Sequence, residues 1–356
     1  MRLGNLLKSV SKDYQKIPVK GICFDSRKAK KNDIFFAIKG AQTSGTKFIK
    51  EAISKGVSVI ICNKKEKIKN YNIALCKVDD VRESLSEACS NFYNKKPSTI
   101  VAVTGTNGKS SVADFFNQIL HLNKISVASF GTLGIASKKF NKKTDLTSMD
   151  PLALHQNLQV LASKKINYVI LEASSHGLKQ KRLDNLNIKT GIFTNLSHDH
   201  LDYHKSIQSY FNSKMYLFNS LLKKNSKIIT DKENKEFIKI KNIANKRKIK
   251  MLTIGSNSGT IKILQHSYKQ NNQTIKVSIN SKIISLTIPL IGYFQVKNLL
   301  LAILASMACG LNFNNVLRII HKIKSVPGRL ECIVNLGNNS KIIVDFAHTP
   351  DALEQS

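Results

Sequence analysis

Thr99-Ile100-Val101-Ala102-Val103-Thr104-Gly105-Thr106-Asn107-Gly108-Lys109-Ser110-Ser111 is the stretch on which the fold turns. A strand-like run enters a short loop with two glycines, and the apolar residues beyond it (Val112, Phe115, Phe116, Ile119, Leu120) recur at helical spacing. Strand, glycine loop and helix in this order let backbone N–H groups and the positive end of a helix dipole face a pyrophosphate. Lys109 then reaches the outer phosphates and Ser110 is placed to ligate magnesium. Val103 stands where the common loop G-x-x-x-x-G-K-[ST] has its first glycine, so the stretch fits a short-loop family better than a general nucleotidase. The plainer alternative, an ordinary strand-to-helix turn, leaves Gly-Lys-Ser at the junction without a purpose.

Working outward, further strand-like runs lie at 168–171, 191–194, 228–230 and 251–254 with helical stretches between them. That alternation predicts a P-loop-type doubly wound parallel sheet. A β-rich tail, 261–289, alternates like a meander, and helical stretches at 295–308 and 314–324 close the unit before Pro327-Gly328. Upstream, 19–97 alternates short apolar runs with helical segments and reads as a small α/β unit. Downstream, only two strands, 332–336 and 341–346, begin a further unit. The expected class is α/β throughout: an N-terminal domain 1–96, a central domain 97–326, and the start of a C-terminal α/β domain, 327–356.

The chain's 356 residues suit two or three domains of about 150 residues, whose cores need neither disulfides nor structural metal. With 42% hydrophobic and 22% charged residues it is neither disordered nor low-complexity. The longest apolar run, 299–311, falls short of the roughly twenty residues a membrane helix needs. The N-terminus is charged every few residues and lacks the apolar stretch of a secretory signal, so a cytoplasmic location is expected. Six scattered cysteines (Cys23, Cys62, Cys76, Cys89, Cys309, Cys332) form no C-x-x-C pair and read as reduced thiols.

A net charge of +33 would ordinarily suggest nucleic acid, yet only seven of the 56 basic residues are Arg. They are spread along the chain with few aromatics among them, so no nucleic-acid partner is expected. A positive field would still speed the arrival of polyanionic small molecules. A basic nucleic-acid-binding protein, the competing class, would bind a random duplex with steep salt dependence.

Two clusters carry further chemistry. Glu172 ends a strand-like run and precedes Ala173-Ser174-Ser175-His176-Gly177, which puts a carboxylate at the C-terminal edge of a parallel sheet, where ligands bind. Past the next strand lies Asn195-Leu196-Ser197-His198-Asp199-His200-Leu201-Asp202-Tyr203-His204, whose density of His and Asp suits a metal and phosphate site. A polar loop carries such residues in any case, and His198 or His204 alone reads equally as a solvated side chain. Lys214, on an amphipathic stretch among aromatics, reads by itself as a surface lysine whose stem lies along apolar neighbours.

These motifs together resemble the Mur ligases, the ATP-dependent ligases that build the peptide stem of bacterial peptidoglycan, and within them the branch that adds the third residue. The residues carrying the resemblance are Asp25-Ser26-Arg27, Asn32 to Ala37, the loop 104–111, Leu146 to Pro151, EASSHGLKQKR at 172–182 and TNLSHDHLDYH at 194–204. Lys214, Asn298, Pro327 to Glu331 and Asp345 to Glu354 complete the set. SSHGL with DHLDYH and an N-terminal DSR separates this group from the folylpolyglutamate synthases, which share the ligase fold.

The resemblance implies that Gly105, Thr106, Asn107, Gly108, Lys109, Ser110 and Ser111 bind ATP, with Asn298 near the adenine and Arg329, Asp345 and His348 near the phosphates. Ser110, Glu172 and His200 would hold Mg²⁺. Lys214 would be the lysine the family carbamylates with CO2, turning an ammonium into a carboxylate beside the metal. Phe24, Ser26, Ala41, Gln42 and Thr43 would contact the uridine side, and Thr147, Ser148, Ser174, Gln180 and Arg182 the muramoyl peptide. Ser148-Met149 stands for a common Thr-Pro and Ser110-Ser111 for Thr-Thr, both keeping hydroxyls.

The implied reaction joins an amino acid, meso-diaminopimelate ahead of L-lysine, to UDP-MurNAc-L-Ala-D-Glu through an acyl phosphate. Lys109 and two Mg²⁺ ions would offset the repulsion between carboxylate and ATP, making Lys109, Glu172, His200 and Lys214 the catalytic set. The family's C-terminal domain binds the incoming amino acid and selects it with an Asp-Asn-Pro-Arg type motif that these 356 residues lack. The alternative expectation is a truncated or split-gene chain that binds UDP-MurNAc-dipeptide and ATP without completing ligation, a separate C-terminal-domain polypeptide supplying the rest. On either expectation the apolar faces of the strands after Val326 lie open.

Overall fold

The computed structural model describes residues 1–40, 43–269, 272–336 and 340–355. The chain divides into two compact units, one of residues 1–96, 149–163 and 180–186, the other of 97–148, 164–179 and 187–356.

The first unit holds four parallel strands in sequential order, β1 (Gly21–Cys23), β2 (Asp33–Phe36), β3 (Val59–Asn63) and β4 (Ala74–Val78). Strand residues alternate between two cores. Ile34, Phe36, Val59 and Ile61 pack with Leu3, Leu6, Leu85 and Ala88, while Phe35, Ile60 and Cys62 pack with Ile49, Ala52 and Val57. A period of two that is apolar on both phases is the signature of a parallel sheet covered on both faces. The helix Val81–Phe92 starts at Asp80, whose carboxylate accepts from the N–H groups of Arg82 and Glu83 and satisfies two of the helix's open donors.

Within this unit the helix Pro151–Ser163 carries His155, which is 0% exposed and whose ring nitrogens have no hydrogen-bond partner among the described residues. Burial, aided by the charge of Lys96, holds its pKa down to about 3 against an ordinary 6.5. Between those values the unfolded chain binds a proton that the folded chain does not, so stability is lost as pH falls through that window. His155→Leu is therefore expected to flatten the acid side of the stability profile. Thermal unfolding at pH 5 and pH 8 checks it, and an unchanged difference between the two midpoints would count against the assignment.

The second unit is built on a ten-stranded sheet. Its strands are β5 (Thr99–Thr104), β6 (Val127–Gly131), β7 (Gly134–Ser137), β8 (Tyr168–Glu172), β9 (Ile188–Phe193), β10 (Lys227–Asp231), β11 (Lys250–Gly255), β12 (Ile261–Lys269), β13 (Asn272–Ile279) and β14 (Lys282–Ile288). The spatial order is β14-β13-β12-β11-β10-β9-β5-β8-β6-β7. The run from β11 to β6 is parallel, as the sequence predicts, and β12 continues it, but antiparallel strands close both ends, β13 and β14 beyond β12 and β7 beyond β6. The β-rich tail is thus no separate layer, because β12 pairs in parallel with β11 through Ile254 and Ile261. The hairpin β6–β7 escapes sequence reading since its strands, VASFG and GIAS, are short and rich in small residues.

Helices Lys109–Leu122 and Tyr293–Ala308 cover the central strands, and Phe115, Phe116, Leu299 and Leu300 join Val101, Val103, Ile170 and Ile192 in one core. The helix expected over 314–324 is instead a short α-helix, Phe313–Leu317, followed by a 3₁₀ turn at Ile320–Lys322. Finally, β15 (Glu331–Leu336) and β16 (Ser340–Val344) form an antiparallel pair. Ile333, Ile342 and Phe346 lie exposed there. No helix among the described residues is long and apolar enough to cross a membrane.

Candidate active site

The C-terminal ends of β5, β6, β8 and β9 meet where the chain order reverses in the parallel sheet, with β9 on one side of β5 and β8 then β6 on the other. Such a switch point opens a crevice beyond the strand ends. A cavity of about 440 Å³ lies in this unit, lined by Thr106 to Ser111, Thr132, Thr147, Glu172, Ser174, Ser175, Asn195, Asp199, His200, Tyr210, Lys214, Phe294, Asn298, Arg329 and 345–348.

The loop after β5 is held by its neighbours. The Thr106 hydroxyl lies 3.2 Å from the Tyr210 hydroxyl and accepts from the Ser197 N–H at 3.0 Å, while the Asn107 N–H donates to Asn195 Oδ1 at 2.9 Å. Gly108 sits at φ +83 where the helix Lys109–Leu122 begins. A side chain there would be strained and would press on Asn298 Oδ1. Lys109 Nζ is turned onto the carbonyls of Gly105 and Thr106, at 3.0 and 2.6 Å. Burial holds its pKa below the ordinary lysine range, against the pull of Glu172 and Asp199.

Glu172, 3% exposed, is the acidic centre. Its Oε2 accepts from Ser110 Oγ at 3.0 Å and its Oε1 from the Thr132 N–H at 2.9 Å. Burial raises its pKa, opposed first by Lys109 and then by those two donors. Ser148 Oγ donates to the Glu172 carbonyl at 2.8 Å and accepts from the Ser174 N–H at 2.9 Å. Ser174 Oγ accepts from the Gly177 N–H at 3.0 Å. The two serines proposed for substrate therefore also brace the turn after β8. Thr147 Oγ1 lies 3.1 Å from Thr132 Oγ1.

Lys214 corrects the surface reading. Its side chain is 1% exposed, its Nζ donates to the Gly105 carbonyl at 2.7 Å, and it lies 4.1 Å from the centre of the Tyr210 ring. Burial, with Lys109 nearby, drives its pKa well below 10.5. The helical pattern saw the aromatics but could not tell that this face turns inward. His204 likewise is not solvated: it is 1% exposed, and burial together with the positive charges of Lys179, His176 and Lys214 holds its pKa down to about 4. His200, at φ +53, is half-exposed, with Nε2 3.4 Å from Asp199 Oδ2 and its ring edge-on to His176 at 4.9 Å.

Ser111 is buried beside Ser110. Asn298 Nδ2 donates to Gln295 Oε1 at 3.1 Å, Asp345 Oδ2 accepts from the Leu330 N–H at 2.7 Å, and His348 Nδ1 lies 2.9 Å from the Phe346 carbonyl. The Arg329 guanidinium lies 5.5 Å from the Phe346 ring centre.

The first unit holds the remaining candidates. Ser26 Oγ donates to Glu51 Oε2 at 2.7 Å, Phe24 packs at the edge of one core, and Thr43 is exposed with its carbonyl accepting from the Gly40 N–H. Gln180 Oε1 accepts from Arg182 at 2.8 Å. Ala41 and Gln42 lie outside the described residues. Sequence reasoning missed Thr132 and Tyr210. Tyr210 precedes Lys214 by four residues, one helical turn, which was the available signal. Thr132 follows the unrecognised strand β6.

Comparison with known proteins shows the family. The chain matches the Mur ligase middle domain over residues 103–306 and the Mur ligase family catalytic domain over 18–93. The chain belongs to the Mur ligases, ATP-dependent enzymes that form carbon–nitrogen bonds. Among relatives, the UDP-N-acetylmuramoyl-L-alanyl-D-glutamate–2,6-diaminopimelate ligase of Rickettsia montanensis is 38% identical over 347 residues, covering 96% of this chain and 71% of that protein. The ligase of the same name from Brucella melitensis is 36% identical, covering 95% of this chain and 69% of that protein. A solved structure of a UDP-N-acetylmuramoyl-L-alanyl-D-glutamate–2,6-diaminopimelate ligase superposes with a TM-score of 0.86 at 27% identity, covering all of this chain and 73% of that one.

Proposed function

We propose that the chain joins diaminopimelate to UDP-N-acetylmuramoyl-L-alanyl-D-glutamate at the expense of ATP, in the cytoplasm. The carrying observation is the joined set Lys109, Ser110 and Glu172 beyond β5 and β8, with buried Lys214 on the carbonyl that Lys109 also uses. The substrate carboxylate attacks the γ-phosphorus of ATP, releasing ADP and leaving an acyl phosphate. The amine then attacks its carbonyl carbon, inorganic phosphate departs and a proton is lost. The loop 105–111 grips the phosphates through N–H groups, and Lys109 moves from the loop carbonyls to the outer phosphates, lowering the repulsion between two anions. Arg329 lends a second positive charge, Asp345 and His348 flank it, and Asn298 orients the base. Thr147, Ser148 and Ser174, with Gln180 and Arg182, are assigned to the muramoyl peptide, and Phe24, Ser26 and 41–43 to the uridine.

The donors fit Mg²⁺. Ser110 and Glu172 are hard oxygens already in contact, with His200 and Lys214 on the same cavity. Among the described residues no three His, Cys, Asp or Glu form a ready-made cage, which suits an ion that takes few carboxylates and completes its shell with phosphate and water. When bound, Mg²⁺ neutralises phosphate charge.

Lys214 is assigned the carbamate. An amine held neutral by burial and by the charge of Lys109 is the form that attacks CO2, giving N–COO⁻ and releasing one proton, and the new negative charge is attracted to Lys109.

Incubation with ATP, Mg²⁺, bicarbonate, UDP-N-acetylmuramoyl-L-alanyl-D-glutamate and diaminopimelate should yield ADP and tripeptide product in equal amounts. ADP without tripeptide, or neither, counts against the proposal.

A further inference from the structure

His204 stands between two serines that the proposed reaction does not use. Its Nε2 lies 3.0 Å from Ser175 Oγ and its Nδ1 3.3 Å from Ser213 Oγ. All three are buried: His204 and Ser175 are 1% exposed and Ser213 9%. Hydrogen bookkeeping fixes the direction of the chain. Ser213 Oγ is 2.8 Å from the Ser209 carbonyl, an acceptor only, so the single Ser213 hydrogen lies on that contact. Ser213 must then accept from His204, which puts the ring hydrogen on Nδ1. Nε2 is left with a lone pair, and Ser175 must donate to it.

Ser175 lines the cavity, directly after Ser174 and three residues beyond Glu172. With its hydrogen committed to the imidazole, its oxygen can meet a ligand only through lone pairs. We infer that Ser175 is a ligand-facing acceptor, turned by His204 to receive an N–H, an O–H or a metal-bound water and not an anionic oxygen, and that His204 is a positioning residue for ligation. The relay also pins the turn after β8 to the helix Ile207–Tyr216 that carries Lys214. In functional terms it rests on the ligation reading above, while the direction of the hydrogen bonds does not.

The first test is therefore independent of turnover. Long-range ¹H–¹⁵N spectra of the full chain labelled at histidine, assigned against His204→Gln, should place the hydrogen of His204 on Nδ1 and a pyridine-like nitrogen at Nε2. Hydrogen on Nε2, or on both, overturns the inference. The second test separates positioning from packing. Glutamine places an acceptor where Nε2 stands and keeps Ser175 oriented; asparagine reaches only the Nδ1 position and releases it. Ser175→Ala and His204→Asn are expected to lower kcat about tenfold with KM for ATP within about twofold, while His204→Gln stays within about threefold of the parent. Ser175→Ala removes one oxygen and leaves the fold's packing intact. Parental kcat in Ser175→Ala, or equal losses in both His204 variants in step with their melting temperatures, overturns the role. A parent chain without turnover counts against the ligation reading and leaves the tautomer to decide this one.

Discussion

Lys214→Ala is expected to lower ligation by about a thousandfold or more, and acetate or propionate to restore part of the rate. The side chain is 1% exposed, and among the described residues no carboxylate lies within ion-pair distance of it. Its Nζ shares the Gly105 carbonyl with the Lys109 Nζ, so two ammonium groups would converge on one oxygen in a poorly solvated place. An unpaired buried cation is costly, and the lysine responds by losing its proton. A neutral lysine whose close contacts among the described residues are a carbonyl and a tyrosine ring, with only the charge of Asp199 opposing the loss of its proton, is a poor structural element and a good nucleophile for CO2. Truncation to alanine leaves a slot next to Lys109 of the width of the lost chain, which a small carboxylate can enter and charge negatively. Rates across a carboxylate series check this, together with ¹³C spectra of the parent chain under labelled bicarbonate. A parental rate in the variant removes the assignment, and so does a loss that no acid rescues in a chain without a carbamate signal.

What the sequence made legible follows from which interactions are local. The loop 104–111 could be read because strand, glycines, lysine and helix are contiguous and each constrains the next. The parallel core could be read because β5, β8, β9, β10 and β11 are apolar runs separated by helices. The hairpin β6–β7 could not, since its pairing partner β8 lies some forty residues away and its own residues are small. The same distance hid Thr132, whose N–H completes the Glu172 site only once β6 is placed beside β8. Read from the residues alone, Lys214 looks like a surface lysine and His204 divides between a solvated side chain and a ligand, for a related reason. A lysine or histidine on a polar stretch is ordinarily at the surface, and only the tertiary fold encloses these two.

Gly131→Ala should cost as much activity as removing the Glu172 carboxylate, a loss of about a hundredfold or more, although residue 131 has no functional group. Gly131 ends β6, and a methyl group there would fall inside the Glu172 carboxylate. The carboxylate cannot step aside cheaply. It is 3% exposed, and its two oxygens are held by the Thr132 N–H and Ser110 Oγ, so displacing it strands a buried charge and two donors. Glycine is thus the only residue that lets the strand end approach the acid closely enough for the Thr132 N–H to bind it. A double-mutant cycle isolates the cause, because Glu172→Ala empties the space that the new methyl needs. On that background Gly131→Ala should add little further loss in turnover or melting temperature, whereas on the parent it should lower both. Equal penalties on the two backgrounds would mean that Gly131 serves the strand and not the carboxylate.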